Sequence, residues 1–317
     1  MKKILVTGGA GFIGSNLIGV LLEKEYQVVC LDNLSTGFEK NIAEFSGNPN
    51  FEFIKGDILD FELLSKLTRD IDAVSHQAAL GSVPRSIKDP LTTNKVNVEG
   101  TLNVFKACVD NNVQQVVYAA SSSTYGDSLE LPKKEEKTGK PLSPYAVTKL
   151  VNELYADVFH RVYGLNTIGL RYFNVFGPKQ NPEGPYAAVI PLFIQAMLAD
   201  ERPVINGDGN HSRDFTYIKN AVNANLLALE SAMESYNNVY NVACGERTTL
   251  NDLVSAINKS LGKKIEPIYR EERDGDIKHS LADISKAKQH LNYDPKYSIQ
   301  DGLKSTIEWY RATKEKT

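Results

Sequence analysis

Cysteine is scarce in this chain. Three occur in 317 residues, Cys30, Cys108 and Cys244, an odd and widely spaced set. That spacing excludes a disulfide framework or a cysteine metal cluster and fits reduced thiols. No charge of one sign dominates: 36 Lys and Arg stand against 39 Asp and Glu, for a net charge of −3. A basic field that would draw nucleic acid or an anionic membrane is therefore missing. No apolar run approaches the about 18 residues of a membrane span. Met1-Lys2-Lys3 and Ile4-Leu5-Val6 imitate the start of a signal peptide, but Gly8-Gly9 breaks the run at once. There is no internal repeat and no low-complexity tract. What remains is an ordinary balance, 42% hydrophobic and 24% charged, with length for one large domain or two smaller ones. A cytoplasmic protein is expected, without nucleic-acid, membrane or metal partners.

What is present is alternation. Short apolar runs predict strands at KILVTG, YQVVCLD, 51–57, 72–79, QQVVYAASSS and NTIGLRYFN. Helical periodicity intervenes at 12–24, near 60–68, at 92–111 and at 144–163. Buried strands alternating with helices predict a parallel sheet covered on both faces. After about residue 175 the pattern changes. A Gly- and Pro-rich loop leads to helical stretches at 187–199 and 219–235, with strand-like pieces at 239–243 and 267–271. The last residues, ATKEKT, are expected to be a solvated end.

The first strand runs into Thr7-Gly8-Gly9-Ala10-Gly11-Phe12-Ile13-Gly14. Glycines at this spacing make a tight turn, a close approach for a pyrophosphate and close helix–strand packing. The helix start then offers free N–H groups to the phosphates. The second strand ends at Asp32, 18 residues beyond Gly14. An acid there binds both adenosine ribose hydroxyls and repels a 2′-phosphate, so NAD is expected rather than NADP. Asp57 and Ile58, after the third strand, suit the adenine edge. Further on, Ser143-Pro-Tyr-Ala-Val-Thr-Lys149 places Tyr145 and Lys149 one helical turn apart on one face.

TGGAGFIG, ASSSTYG (120–126) and SPYAVTK resemble the extended short-chain dehydrogenase/reductase family, and within it the UDP-sugar 4-epimerases. HQAA (76–79), NVEGT (97–101), RYFNVFGP (171–178), RDFTYI (213–218) and RDGD (273–276) extend the resemblance over the whole length. It implies a Rossmann-type doubly wound parallel sheet, residues 1–174 with a later contribution near 213–235, and a smaller C-terminal α/β substrate domain within 175–317. It implies a homodimer formed through the helices 92–111 and 144–163. It also implies a catalytic set of Ser121, Tyr145 and Lys149. Tyr145 is the base, Lys149 and the oxidised nicotinamide favour its ionised form, and Ser121 shuttles the proton of the sugar 4-hydroxyl. The cofactor contacts it implies are Gly8, Gly11, Phe12, Ile13, Gly14, Asp32, Asn33, Asp57, Ile58, Gln77, Ala78, Asn97, Tyr145, Lys149 and the backbone near Tyr172. For the substrate it implies Arg213 and Arg273 on the diphosphate, Asp276 on a ribose hydroxyl, Asn174, and Arg85, Ser122 and Ser123 on the sugar.

Related dehydratases carry an Asp-Glu pair where this chain has Ser122-Ser123, which argues for epimerisation. Epimerases restricted to glucose and galactose carry a bulky tyrosine where this chain has Ser280. A serine leaves room for an N-acetyl group, so interconversion of UDP-N-acetylglucosamine and UDP-N-acetylgalactosamine is expected. UDP-glucose or UDP-glucuronate 4-epimerisation, keto-sugar reduction and a non-enzymatic NAD-binding module are the alternatives.

Overall fold

Ile4, Leu5 and Val6 fill the middle of the first strand, Lys3–Thr7 (β1), and all three are inaccessible to water. Consecutive buried apolar residues need a covering layer on each face. The computed structural model describes residues 2–182, 187–272 and 278–314. It follows β1 with Phe12–Glu23 (α1), Gln27–Asp32 (β2), Phe51–Lys55 (β3), Phe61–Leu67 (α2) and Ala73–His76 (β4). Val83–Lys88 (α3), Pro90–Asn94 (α4), Gly100–Asp110 (α5), Gln115–Ser121 (β5), Pro144–Tyr163 (α6) and Thr167–Tyr172 (β6) complete the first half.

In space the strands run β3, β2, β1, β4, β5, β6, and then Asn238–Val242 from the second half. All six pairings are parallel. Leu17, Ile18 and Leu21 of α1 pack in one core cluster with Ala221 and Val222 of the helix Ile218–Leu229. Val104, Phe105 and Cys108 of α5 meet Phe159 of α6 in a second cluster. The chain leaves β1 in one direction along the sheet and resumes at β4 in the other. Between the C-terminal ends of these two strands a crevice opens, the usual ligand position in such sheets.

Two expectations change. The helix expected at 92–111 is interrupted: α4 passes through a π-helical turn at Lys95–Glu99 before α5. The cause lies across the crevice, where buried Asn97 accepts from Leu80 N (2.8 Å) and donates to Leu80 O (3.3 Å). The helical stretch expected at 219–235 ends at Leu229, followed by a short 3₁₀ turn at Met233–Ser235. Three further helices, Leu250–Leu261, Ser285–Leu291 and Ile299–Lys314, lie where no helix was expected. The last of them carries the start of ATKEKT, with Arg311 and Ala312 exposed as a solvated end requires.

Candidate active site

The crevice is glycine-walled for a steric reason. Gly8 has φ +67°, and a Cβ there would lie 2.6 Å from Ala78 N. A Cβ on Gly14 would lie 2.3 Å from Gly8 O. The turn can therefore close against β4 only without side chains. Gly11 caps α1 with no side-chain bond, and no acid occupies the helix's first turn. Its amides thus face a cavity of about 300 Å³ lined by Gly8, Gly11, Phe12, Ile13, Gly14, Asp32, Asn33, Asp57, Ile58, Gln77 and Ala78 among others. Uncapped helix amides and a bare backbone fit a dinucleotide pyrophosphate.

Asp32 is almost fully buried at the end of β2. It accepts from Ala10 N (2.9 Å) and Leu34 N (2.8 Å), which fixes the glycine turn around it. Burial pushes its carboxyl above the usual range, and these amides pull it back. Asn33 donates to Asp57 (2.8 Å) and so joins the ends of β2 and β3 at the rim.

A larger cavity of about 930 Å³ continues from the first, sharing Phe12, Ile13 and Gln77. It is lined by Ser121, Ser122, Ser123, Tyr145, Lys149, Tyr172, Asn174, Arg213 and Ser280. Ser121 ends β5. Its hydroxyl accepts from Ser123 N (3.1 Å) and is the neighbour that draws the Tyr145 phenol down. Ser143 and Pro144 start α6 by capping and by fixed φ, with Ser143 Oγ accepting from Ala146 N (3.2 Å). Tyr145 therefore sits in the helix's first turn. Lys149, one turn on, has its ammonium 5.9 Å from the Tyr145 ring centroid and donates to Ala119 O (2.7 Å).

The electrostatics refine the expectation for this pair. Burial raises the Tyr145 phenol, and the bond with Ser121 is what opposes it. The lysine ammonium lies over the ring and donates to the Ala119 carbonyl. Lys149 itself is pushed down to about 8 by burial, with Glu153 pulling it up.

Several expected contacts take other roles. Asn97 is absent from both cavity linings; it spends its amide on Leu80 and Thr148 (3.1 Å). Arg85, in α3, lines neither cavity, although its neighbours Val83 and Pro84 do. Tyr172 lines the larger cavity through its side chain, whose hydroxyl is 3.1 Å from Gln77 Oε1 and accepts from Asn225 Nδ2 (2.8 Å). Asn174 donates to Asp214 O (3.0 Å), and Arg213 donates to Ser212 O and Lys278 O. Ser280 N donates to Ser212 O (3.0 Å), which brings that segment against Arg213. Arg273 and Asp276 lie outside the described residues.

Sequence reasoning missed Asn225, which ties Gln77 to Tyr172. It also missed His76, fully buried between Thr7 Oγ1 (2.7 Å) and Thr101 Oγ1 (3.0 Å). Burial and the Lys149 charge push this imidazole down to about 3, so it is a neutral spacer. Among the described residues no group of His, Cys, Asp and Glu could hold a metal, and no helix is long and apolar enough to cross a membrane.

The chain matches the NAD dependent epimerase/dehydratase family over residues 4–243. It is 44% identical to a solved UDP-N-acetylglucosamine 4-epimerase from Methanobrevibacter ruminantium in complex with UDP-N-acetylmuramic acid, with a TM-score of 0.94 over 98% of this chain and 99% of that one. A UDP-glucuronic acid 4-epimerase from Bacillus cereus, solved with UDP-glucuronic acid and NAD, is 36% identical, with a TM-score of 0.90 over 98% and 99%. A putative UDP-glucose 4-epimerase from Methanocaldococcus jannaschii is 39% identical over 97% of this chain and 98% of its own length. With a glycine cradle that admits a dinucleotide and relatives acting on three different UDP-sugars, the chain belongs to the NAD-dependent UDP-sugar 4-epimerases of the epimerase/dehydratase family.

Proposed function

We propose that the protein interconverts UDP-N-acetylglucosamine and UDP-N-acetylgalactosamine by inversion at C4. The observation that carries this reading is Ser280, a small residue in the wall of the cavity that also holds Ser121, Tyr145 and Lys149. A hydroxymethyl at that point leaves room for the N-acetyl group. The 44% identity to an epimerase whose structure holds an N-acetylated sugar nucleotide supports it.

NAD, when bound, supplies the positively charged ring that accepts and returns the C4 hydrogen. Tyr145 takes the proton of the 4-hydroxyl, with Ser121 beside the phenol as its relay. Lys149 adds a positive charge on the same face of the ring. The resulting 4-keto sugar must turn over to be reduced from its other side. A cavity of about 930 Å³ gives that freedom, while Arg213 at its edge suits the diphosphate. Arg273 and Asp276 are assigned to the nucleotide on the same grounds as in the sequence.

One observation favours a second reading. Lys133, nearly buried, lines the same cavity; its ammonium donates to Ser128 O, and turned into the cavity it would suit the carboxylate of UDP-glucuronate. Purified protein incubated without added NAD separates the two. Product from UDP-N-acetylglucosamine in clear excess over product from UDP-glucose and UDP-glucuronate is expected. Preferential turnover of the uronate overturns the first reading.

The protein is proposed to work as a homodimer in the cytoplasm. Val147, Leu154, Val158 and Val162 of α6 form an exposed apolar stripe at helical spacing, with Leu91 of α4 also exposed. Such a face suits a second copy of the same helices. The three cysteines are unpaired, as a reducing compartment keeps them.

A further inference from the structure

We propose that Glu153 and Arg171 are positioning residues for Lys149: Glu153 keeps the lysine charged in its buried site, and Arg171 holds Glu153 in place. The inference rests on the assignment of Lys149 to the reaction.

α6 carries Tyr145, Lys149 and Glu153 at steps of four, so the three follow one another along one side of the helix. Lys149 is buried, and its ammonium donates to the neutral Ala119 carbonyl. An ammonium so placed is costly without an opposite charge nearby. Tyr145 cannot supply that charge in its neutral form, and His76 of β4 is neutral. Glu153 is the charge that opposes burial of the lysine.

Glu153 is itself held. Arg171 of β6 grips it through two bonds, Nε to Oε1 (2.9 Å) and Nη2 to Oε2 (2.7 Å), with both side chains over nine-tenths buried. This two-point grip fixes direction as well as charge. The guanidinium also donates to Glu135 O (3.0 Å) and lies 4.8 Å from the Tyr125 ring centroid. Tyr125 lines the sugar cavity and donates to Asn241 Oδ1 (2.7 Å). Asn241 in turn donates to Lys133 O and Asp283 O, both 2.9 Å. One contact chain thus runs from the helix of Tyr145 to the segment after Ser280. Near the pair the other titratable groups are Tyr118 of β5, Tyr125, Glu135, Asp157 and Lys286; the Tyr118 phenol is held high by burial and by Glu153, and the Lys286 ammonium feels both Arg171 and Glu153.

The test reads Lys149 directly. Lysine labelled with ¹³C at Cε is titrated by NMR in the wild type and in Glu153→Gln, the resonance being assigned by its loss in Lys149→Met. The midpoint is expected to fall by about one pH unit in Glu153→Gln. The alkaline limb of the pH–rate profile should move down with it, and Glu153→Asp should restore both. An unchanged midpoint, or a rate reduced equally at every pH, overturns the proposal. If Glu153→Gln does not fold, Glu153→Gln/Arg171→Gln leaves no unpaired buried charge and should show a smaller fall in the same direction. Because the midpoint is read without substrate, it stands even if Lys149→Met proves active, which would instead overturn the role given to Lys149.

Discussion

Each end of the cleft hangs on one buried carboxylate bonded to backbone amides. At the dinucleotide end Asp32 gathers Ala10 N and Leu34 N. At the sugar end Asp214 gathers Cys244 N (2.9 Å), Gly245 N (3.0 Å) and Ala282 N (3.2 Å). The difference is in reach and in access. Asp32 fastens turns two and 22 residues away and lines the first cavity. Asp214 is wholly inaccessible and fastens loops 30, 31 and 68 residues away. The first end is thus built from nearer pieces of chain around an acid that lines a cavity, while the second is assembled from more distant pieces around an acid that lines neither cavity. Selectivity between sugars can then change at the second end without disturbing the first.

The largest expected effect lies where the two ends meet. Tyr145→Phe should lower turnover by about 10²- to 10⁴-fold, the usual contribution of a positioned acid–base group. NAD retention and UDP-sugar binding should stay near wild type, as followed by absorbance and calorimetry. Loss of bound NAD in this variant would instead make the phenol part of the cofactor's seat.

Asp214 gives a pH signature that Asp32 does not match in size. Burial pushes its carboxyl from 3.8 up to about 6, with the three amides opposing. The native state therefore holds this proton more tightly than the unfolded chain. Its contribution to stability should rise as pH falls through about 6 and level off near 3.8, opposite in sign to that of the neutral His76, which falls over the same window. Above that window the ionised acid costs roughly 3 kcal/mol at most. Asp214→Asn is neutral throughout, so its urea-unfolding free energy should lack this slope, whatever its overall level. A variant with the wild-type slope between pH 4 and 7 removes Asp214 as its origin.

What was legible in the sequence follows the same division. The glycine turn, Asp32 and the start of α6 are local signals, each written within a few residues by steric need, capping or proline. The break at Asn97 was not legible, because the apolar period runs through it and the cause is Leu80 across the crevice. The position of Arg85 was not legible either, because a family-like stretch names a segment, here part of α3, without saying which of its side chains line the cavity. Glu153 with Arg171, and Gln77 with Asn225 and Tyr172, are pairings between separate elements that no spacing records. The helix Leu250–Leu261 did carry a signal: Thr249 caps it by accepting from Asp252 N (3.0 Å). A Thr with an acid three residues on is the ordinary start of a helix.

Ser280 sets the smallest and most selective effect. Its backbone is fixed by the bond from its own N–H to Ser212 O, so a larger side chain there cannot retreat with the main chain. A phenol ring at that point would fill the part of the cavity given to the N-acetyl group and leave room for a hydroxyl. Ser280→Tyr should therefore lower kcat/KM for UDP-N-acetylglucosamine by about 10- to 200-fold, the range that pocket shape alone supplies. Turnover of UDP-glucose should be nearly unchanged, since a 2-hydroxyl needs less room, as should NAD content, which depends on the other end. Parallel assays on the two substrates give the ratio directly. An equal loss on both would mean that the ring blocks the nucleotide as well. An unchanged ratio would move the choice of sugar away from Ser280, leaving the cavity wall at Ser122, Ser123 and Lys133 to make it.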